Sequence, residues 1–329
     1  MLELTPTSAE TYLRERNRIP SGAVHITELA DGVSNAVLRV ETSNGKFVVK
    51  QSRPQLRTHA AWFSDISRIW RERDAMQLLR PLLPAGVVPA VLWSDQENFA
   101  FAMSHAPEPF RNWRTVLLSG EVDLALGEAA GRLLGMIHDQ TARRIEALMP
   151  FSDRTVFEQL RVEPFYLRVQ KRRPDVADEI DPLVQRCRNI RLGMCHGDFS
   201  PKNLLLHSGG FTLVDYETCH FGDVTFDLGF FLSHLMLKSV HISRSRNAFH
   251  DLTRSFWRGY SEAAKFAAIN ELVNAGIGHL GGCLLARVDG ASPAPYLTDD
   301  SQREIVRRTA RRILRERPAT WDQLLELAP

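Results

Sequence analysis

Cysteine is scarce in this chain: four residues in 329, at positions 187, 195, 219 and 283. None forms a CxxC pair or a metal-ligand spacing. That excludes a disulfide scaffold and a zinc-finger pattern, and it points to a reducing compartment. The four read as buried small hydrophobes, although Cys195 and Cys219 flank the central motif and are the thiols expected to meet thiol reagents. Long apolar runs are also missing, so no segment is suited to span a bilayer. The opening Met1-Leu2-Glu3-Leu4-Thr5-Pro6 has no basic residue and no apolar core, so a signal peptide is not expected and the protein is expected to be cytoplasmic. Charge excess is missing as well. The net charge is +2, and the basic runs Lys171-Arg172-Arg173 and the arginines at 307, 308, 311 and 312 are interspersed with acids and have no aromatic residues among them. They read as solvated helix faces, and nucleic acid is not an expected partner. Repeats and low-complexity stretches are absent.

What is present is the composition of an ordinary enzyme, 44% apolar and 24% charged, with length enough for two lobes. Its most informative stretch is residues 194–206, completed at 214–217. It reads Met194-Cys195-His196-Gly197-Asp198-Phe199-Ser200-Pro201-Lys202-Asn203, then two runs of strand composition, Leu204-Leu205-Leu206 and Phe211-Thr212-Leu213-Val214, joined by the turn Ser208-Gly209-Gly210. Asp215-Tyr216-Glu217 follows. Such a hairpin brings Asn203, before its first strand, close to Asp215, after its second. Amide and carboxylate oxygens so placed suit a hard divalent cation together with phosphate oxygens. Asp198, five residues before Asn203, lies beside that position and is free to accept a proton from a substrate hydroxyl. Protein kinases use the same ordered parts, a catalytic-loop Asp and Asn followed by a metal-binding Asp. Taken singly, each residue has a plainer role: His-Gly-Asp is a common turn, and a strand-end Asp is a cap.

His196-Gly197-Asp198 with Asn203, then Asp215-Tyr216-Glu217, Phe221-Gly222-Asp223 and Thr225-Phe226-Asp227-Leu228-Gly229, resembles the aminoglycoside phosphotransferase and choline kinase superfamily, the small-molecule relatives of protein kinases. The resemblance runs from about residue 26 to 290. It implies an α+β, protein-kinase-like two-lobe fold: an N-terminal lobe at 1–104 with a five-stranded antiparallel sheet and a helix, and a mostly helical C-terminal lobe at 105–329. It also implies ATP and Mg²⁺ as cofactors. Asp198 is the expected base, Asn203 and Asp215 the expected metal ligands, and Glu217 a further ligand if strand alternation carries it to the same side as Asp215. An Asp-x-Glu here resembles the metal pair of methylthioribose kinases. His196 is expected to prop the loop, and Asp227 to act as an N-cap or, as the resemblance implies, to tie its helix to the catalytic loop.

In the N-terminal third, 26–29 and 37–41 read as strands separated by Ala30-Asp31-Gly32-Val33-Ser34-Asn35. The backbone there, with Ser34 and Asn35, is the expected phosphate-facing turn. Asn44-Gly45 starts a hairpin into Lys46-Phe47-Val48-Val49-Lys50-Gln51. Lys50 ends an apolar strand and needs a partner; phosphates and a helix carboxylate answer that need. The helix is expected over 62–82, with Glu72 as the carboxylate and Asp74 as the alternative. A short helix at 7–18, strands at 91–93 and 99–103, and an interlobe hinge in the Pro-rich 104–109 complete the lobe. His138 reads as a packed or capping residue.

The acceptor is less constrained. Between 240 and 289 the chain has six Lys/Arg and four Asp/Glu, which disfavours a polycationic substrate. Residues 281–289 resemble the arginine-bearing helix of methylthioribose kinases, with Arg287 matching one arginine of its pair and Ala286 at the other position. Asn203 departs from that subfamily. Arg287 either complements a helix C-terminus or binds substrate oxygens. The reading is therefore an ATP-dependent phosphotransferase acting on the hydroxyl of a small, sugar-like, neutral or anionic molecule. The alternatives are a non-catalytic nucleotide-binding regulator and an aminoglycoside- or choline-type kinase. A homodimer is compatible with the sequence.

Overall fold

The computed structural model describes residues 1–29, 35–55 and 63–328. Its first helix, α1 (Pro6–Glu15), starts where Thr5 can cap it: the Thr5 hydroxyl accepts from the Ser8 amide, the Ser8 hydroxyl accepts from the Thr5 amide, and Pro6 takes the first helical position. Strands β1 (His25–Glu28), β2 (Asn35–Thr42) and β3 (Gly45–Ser52) follow, then helix α2 (Arg68–Leu79) and strands β4 (Val91–Asp95) and β5 (Ala100–Ser104). The sheet is antiparallel throughout, in the order β1-β2-β3-β5-β4. The helix read from sequence as 62–82 is shorter. Positions 63–67 are not helical, and α2 begins only after Ser67.

Alternation along β3 decides which side chains reach the cleft. Val49 packs with Leu38, Val40, Ala100 and Ala102 in a small core that α1 closes with Ala9, Tyr12 and Leu13. Val48 belongs to the other core, with Ile69, Met76 and Leu79 of α2. Lys50, two residues on from Val48, is therefore aimed toward α2.

The remainder is mostly helical. Helix α3 (Leu124–Ala142) is capped by Asp123. Strands β6 (Gly193–Cys195) and β9 (His220–Gly222) pair, and β7 (Leu204–His207) forms a hairpin with β8 (Gly210–Leu213). Helix α4 (Thr225–His241) is buried along nearly its whole length, and α5 (Arg246–Ala263), α6 (Ile269–Asp289) and α7 (Asp300–Glu316) pack around it. Helices α3 and α5 approach very closely. A Cβ added to Gly131 would lie 1.9 Å from the Phe256 carbonyl oxygen, and one added to Gly259 would lie 2.1 Å from that of Glu128. Only glycine at both places lets the backbones touch.

Of the α7 arginines at 307, 308, 311 and 312, three are engaged within the chain. Arg307 pairs with Asp289, Arg311 with Asp175 and Arg312 with Glu316. Among the described residues no helix is long and apolar enough to cross a membrane. All four cysteines are buried and unpaired. Burial raises the thiols of Cys195 and Cys219 well above the usual range, which corrects the expectation that they meet thiol reagents.

Candidate functional site

Lys50 is almost fully buried, and its ammonium has two partners: Glu72 Oε1 at 2.7 Å and Asp215 Oδ1 at 3.1 Å. Desolvation opposes the charge, but Glu72, Asp215 and Glu217 outweigh it, and the Lys50 pKa is raised. Burial pushes the Glu72 carboxyl upward, with Asp215 and Glu217 adding to the effect and Lys50 opposing it. Asp215 goes the other way. Although burial works against ionisation, Lys50 and Lys202 hold its pKa well down.

Asp215 and Glu217 do not share a face by strand alternation, as the sequence suggested. The strand stops at Leu213. Asp215 has φ of +72°, in the left-handed region, so the chain turns sharply there. Glu217 reaches the same cleft by another route. Asn35 Nδ2 donates to its Oε2 at 2.9 Å, and Arg68 Nε at 3.2 Å. Carboxylate oxygens of Glu72, Asp215 and Glu217 lie within 4.8 Å of one another. Such a set of hard oxygen donors fits a divalent cation. Glu72 Oε2 and Asn35 Oδ1, both buried, have no hydrogen-bond partner among the described residues. Ser34 lies outside the described residues.

Asp198 sits on the loop after β6. Asn203 Nδ2 donates to its Oδ2 at 2.8 Å and to its carbonyl at 2.9 Å, which folds the loop back on itself. Arg161 lies 2.6 Å from Asp198 Oδ1. Lys202 is 3.9 Å from both Asp198 and Asp215, and the Val214 amide donates to the Asn203 carbonyl at 3.0 Å. The hairpin thus places Asn203 beside Asp215.

The loop is fixed from behind. Asp227, in the first turn of α4, accepts from the backbone amides of His196 (2.6 Å) and Gly197 (2.8 Å). His138 Nε2 is 3.3 Å from the same carboxylate, and His138 Nδ1 is 3.0 Å from the Tyr260 hydroxyl. Against the cost of burial, these partners lower the Asp227 pKa. His196 Nδ1 accepts from the Asp198 amide at 3.2 Å, and burial lowers the His196 pKa, favouring the neutral ring. Gly197 has φ of +73°, and a Cβ there would meet the Thr218 side chain at 2.9 Å.

Arg287 lies in the last turn of α6, and its Nη1 donates to the Ser292 carbonyl and hydroxyl. It lies within Coulombic range of Asp198 and Arg161. Sequence reasoning missed Arg68, Arg161 and Lys238. The first two have no local signature among 41 lysines and arginines. Lys238 did have one, a lone cation inside an apolar helix.

Residues 25–266 match the model of the phosphotransferase enzyme family. A methylthioribose kinase of Bacillus cereus is 21% identical over 299 residues, covering 78% of this chain and 75% of that protein. Among solved structures, the amicoumacin kinase hAmiN in complex with AMP-PNP, Ca²⁺ and Ami matches with a TM-score of 0.57 at 16% identity, over 96% of this chain and 97% of that one. A choline/ethanolamine kinase family protein from Mesorhizobium loti matches with a TM-score of 0.56 at 17% identity, over 97% and 98%.

Proposed function

The chain belongs to the phosphotransferase enzyme family and is a small-molecule kinase; we propose that it moves the γ-phosphate of ATP to a hydroxyl of a small, sugar-like, neutral or anionic acceptor. The observation that carries this reading is the Lys50 ammonium held between Glu72 and Asp215, 2.7 and 3.1 Å away, in the cleft that also presents Asp198. In this reading Lys50 meets the α- and β-phosphates, and Glu72 keeps its amine extended toward them. Asn35, which opens β2 and reaches the same cleft through Glu217, serves the phosphates together with Ser34.

The donor set of Asp215 and Asn203, with Glu217 beside them, fits Mg²⁺. The ion, when bound, neutralises charge on the phosphates and holds them in line. Asp198 orients the acceptor hydroxyl and takes its proton as the new oxygen–phosphorus bond forms. The bond from the γ-phosphorus to the bridging oxygen breaks, and ADP leaves. Asn203 and Arg161 each occupy one oxygen of Asp198, which fixes the carboxylate plane for that transfer. His196 and Asp227 hold the loop backbone and touch no reacting atom.

The kinship with methylthioribose kinases supports a sugar-like acceptor, and the placement of Arg287 near Asp198 supports its contact with that acceptor. The test has two stages: thermal stabilisation by ATP in the presence and absence of Mg²⁺, then ADP release with pooled hydroxyl compounds. Mg²⁺-dependent stabilisation and acceptor-dependent ADP release are expected. Nucleotide binding with no turnover on any pool would turn the reading toward a regulator, and no binding at all would remove it.

A further inference from the structure

Along α4, Phe230, His234 and Lys238 follow one another at intervals of four residues and so share one helix face. The row starts at the reaction centre. Arg161, the partner of Asp198, lies with its guanidinium carbon 5.5 Å from the Phe230 ring centroid, and the Phe230 and His234 rings are 5.0 Å apart. It ends at Lys238, which is fully buried. The Lys238 ammonium has three protons to donate, yet among the described residues its one hydrogen bond is to the His234 carbonyl at 3.2 Å. Above it stands Tyr296, with its ring 5.6 Å from the Lys238 nitrogen and 5.2 Å from the His241 ring.

No carboxylate among the described residues pairs with Lys238 or with Arg287, whose hydrogen bonds go to the His234 carbonyl and to Ser292. The groups whose charges act on Lys238 are Arg287 and Arg114, both cations. Those acting on His234 are Lys238, Arg287, Lys202 and Arg161, again all cations. Three polar atoms in the same place are buried without a hydrogen-bond partner among the described residues: Arg287 Nε, Tyr296 OH and His241 Nδ1. A buried ammonium without an anion is costly, and buried polar groups are normally satisfied. A cluster of them leaves an incomplete network that a ligand can complete. Burial, then Arg287 and Arg114, lower the Lys238 pKa to about 7; an anion beside it would restore the proton.

We propose that Lys238 and Arg287, with the Tyr296 hydroxyl, receive a carboxylate or phosphate group of the acceptor, so that the substrate is an anionic hydroxyl compound and not a neutral sugar. This rests on the kinase reading and narrows its substrate class. From Phe230 to Lys238 the helix rises about 12 Å, and side chains lean back toward its N-terminus. The substrate so placed has its anion at Lys238 and its hydroxyl at Asp198, at opposite ends of that row.

The test uses matched pairs, ribose 5-phosphate with ribose and glycerate with glycerol, on the wild type and on Lys238→Met. Melting temperatures are read at constant ionic strength with each compound and with inorganic phosphate, and ADP release is read with ATP and Mg²⁺. At least one anionic member of a pair, or phosphate itself, is expected to protect the wild type saturably, with no protection by its neutral partner and none in Lys238→Met. The phosphate and carboxylate arms identify which anion the site prefers. Where turnover is seen, the variant is expected to raise the acceptor KM at least tenfold with the ATP KM retained, and Lys238→Arg to restore part of it.

Absence of anion-specific protection in the wild type, equal use of the neutral partners, or protection that survives in Lys238→Met each overturns the proposal. If ATP with Mg²⁺ protects and the anions do not, the inference fails alone. If ATP fails to protect, the kinase reading fails whatever the anions do.

Discussion

Arg161 lies 2.6 Å from Asp198 Oδ1, and its Nε donates at 2.6 Å to the carbonyl of Gly197, the residue just before. One guanidinium therefore fixes both the backbone and the carboxylate of the proposed base. Asn203 does the same from the other side. The geometry leaves the carboxylate little freedom to rotate, which is what proton abstraction from a positioned hydroxyl needs.

Asp198→Asn keeps the shape and removes the base. The kcat is expected to fall by roughly 10²–10⁴, the ordinary range for a general base, while the ATP KM and the melting temperature stay close to wild type. A coupled ADP-release assay with the acceptor found by screening reads this, and full activity in the variant would reject the assignment.

Lys50 is the main counter-charge for Glu72. Lys50→Met leaves a buried carboxylate beside Asp215 and Glu217 and is expected to cost about 3–5 kcal/mol. Lys50→Met with Glu72→Gln removes the ion pair as a unit and is expected to recover most of that loss, while nucleotide binding stays impaired in both. Urea melts of the two variants give the comparison; a double variant no more stable than the single one would show that the pair does not act as a unit.

Asp227→Ala removes the acceptor for two buried backbone amides and for His138. Losing hydrogen bonds to a charged group costs about 1.5–3 kcal/mol each, so a loss of at least about 3 kcal/mol is expected, together with a fall in kcat. Denaturant titration beside kinetics measures both, and a stable, active variant would contradict the tethering role.

Lys238 gives a pH signature whose sign follows from its lowered pKa. Its pKa is about 7 in the folded chain against the ordinary lysine value of 10.5. Below pH 7 both states carry the proton and the cost of burying it is complete. Between about 7 and 10.5 the folded state has released a proton that the unfolded state still holds, so stability rises with pH. Lys238→Met is therefore expected to be more stable than wild type at pH 6.5, with an advantage that shrinks toward pH 10. An advantage independent of pH would show that the amine does not titrate there.

The thiols offer a simple check. All four are buried, with Cys187, Cys195 and Cys219 pushed well above their usual range by burial and Cys283 pushed to about 12. An Ellman titration of the native protein is expected to be silent within minutes and to show four thiols after unfolding. Rapid reaction of one native thiol would refute the packing around it.

Local features of the site were legible from residue order alone. Asp198, Asn203 and Asp215 come together because a four-residue hairpin strand returns the chain to its starting point, and strand composition with a glycine turn announces that. Lys50 was legible as a cation at the end of an apolar strand. The route of Glu217 was not, because it depends on the left-handed Asp215 and on Arg68, a residue 149 positions away. Arg161 was hidden for the same reason: a long-range partner leaves no periodicity. The start of α2 was read too early, since the apolar pattern included positions that the chain uses for a β-bridge at Phe63 and a turn at 66–67.

The glycine contact between α3 and α5 has a consequence far from itself. His138 rides on α3 and Tyr260 on α5, and the bond between them, 3.0 Å long, exists only because Gly131 and Gly259 let the two backbones meet. His138 leans in turn on Asp227, and Asp227 carries the amides of His196 and Gly197. The spacing of two helices at the back of the molecule is thus a gauge for the height of the loop that carries the proposed base. An alanine at Gly131 would loosen no substrate contact, yet it would lift the loop off its seat, so the harm would surface as a slower chemical step and not as weaker binding.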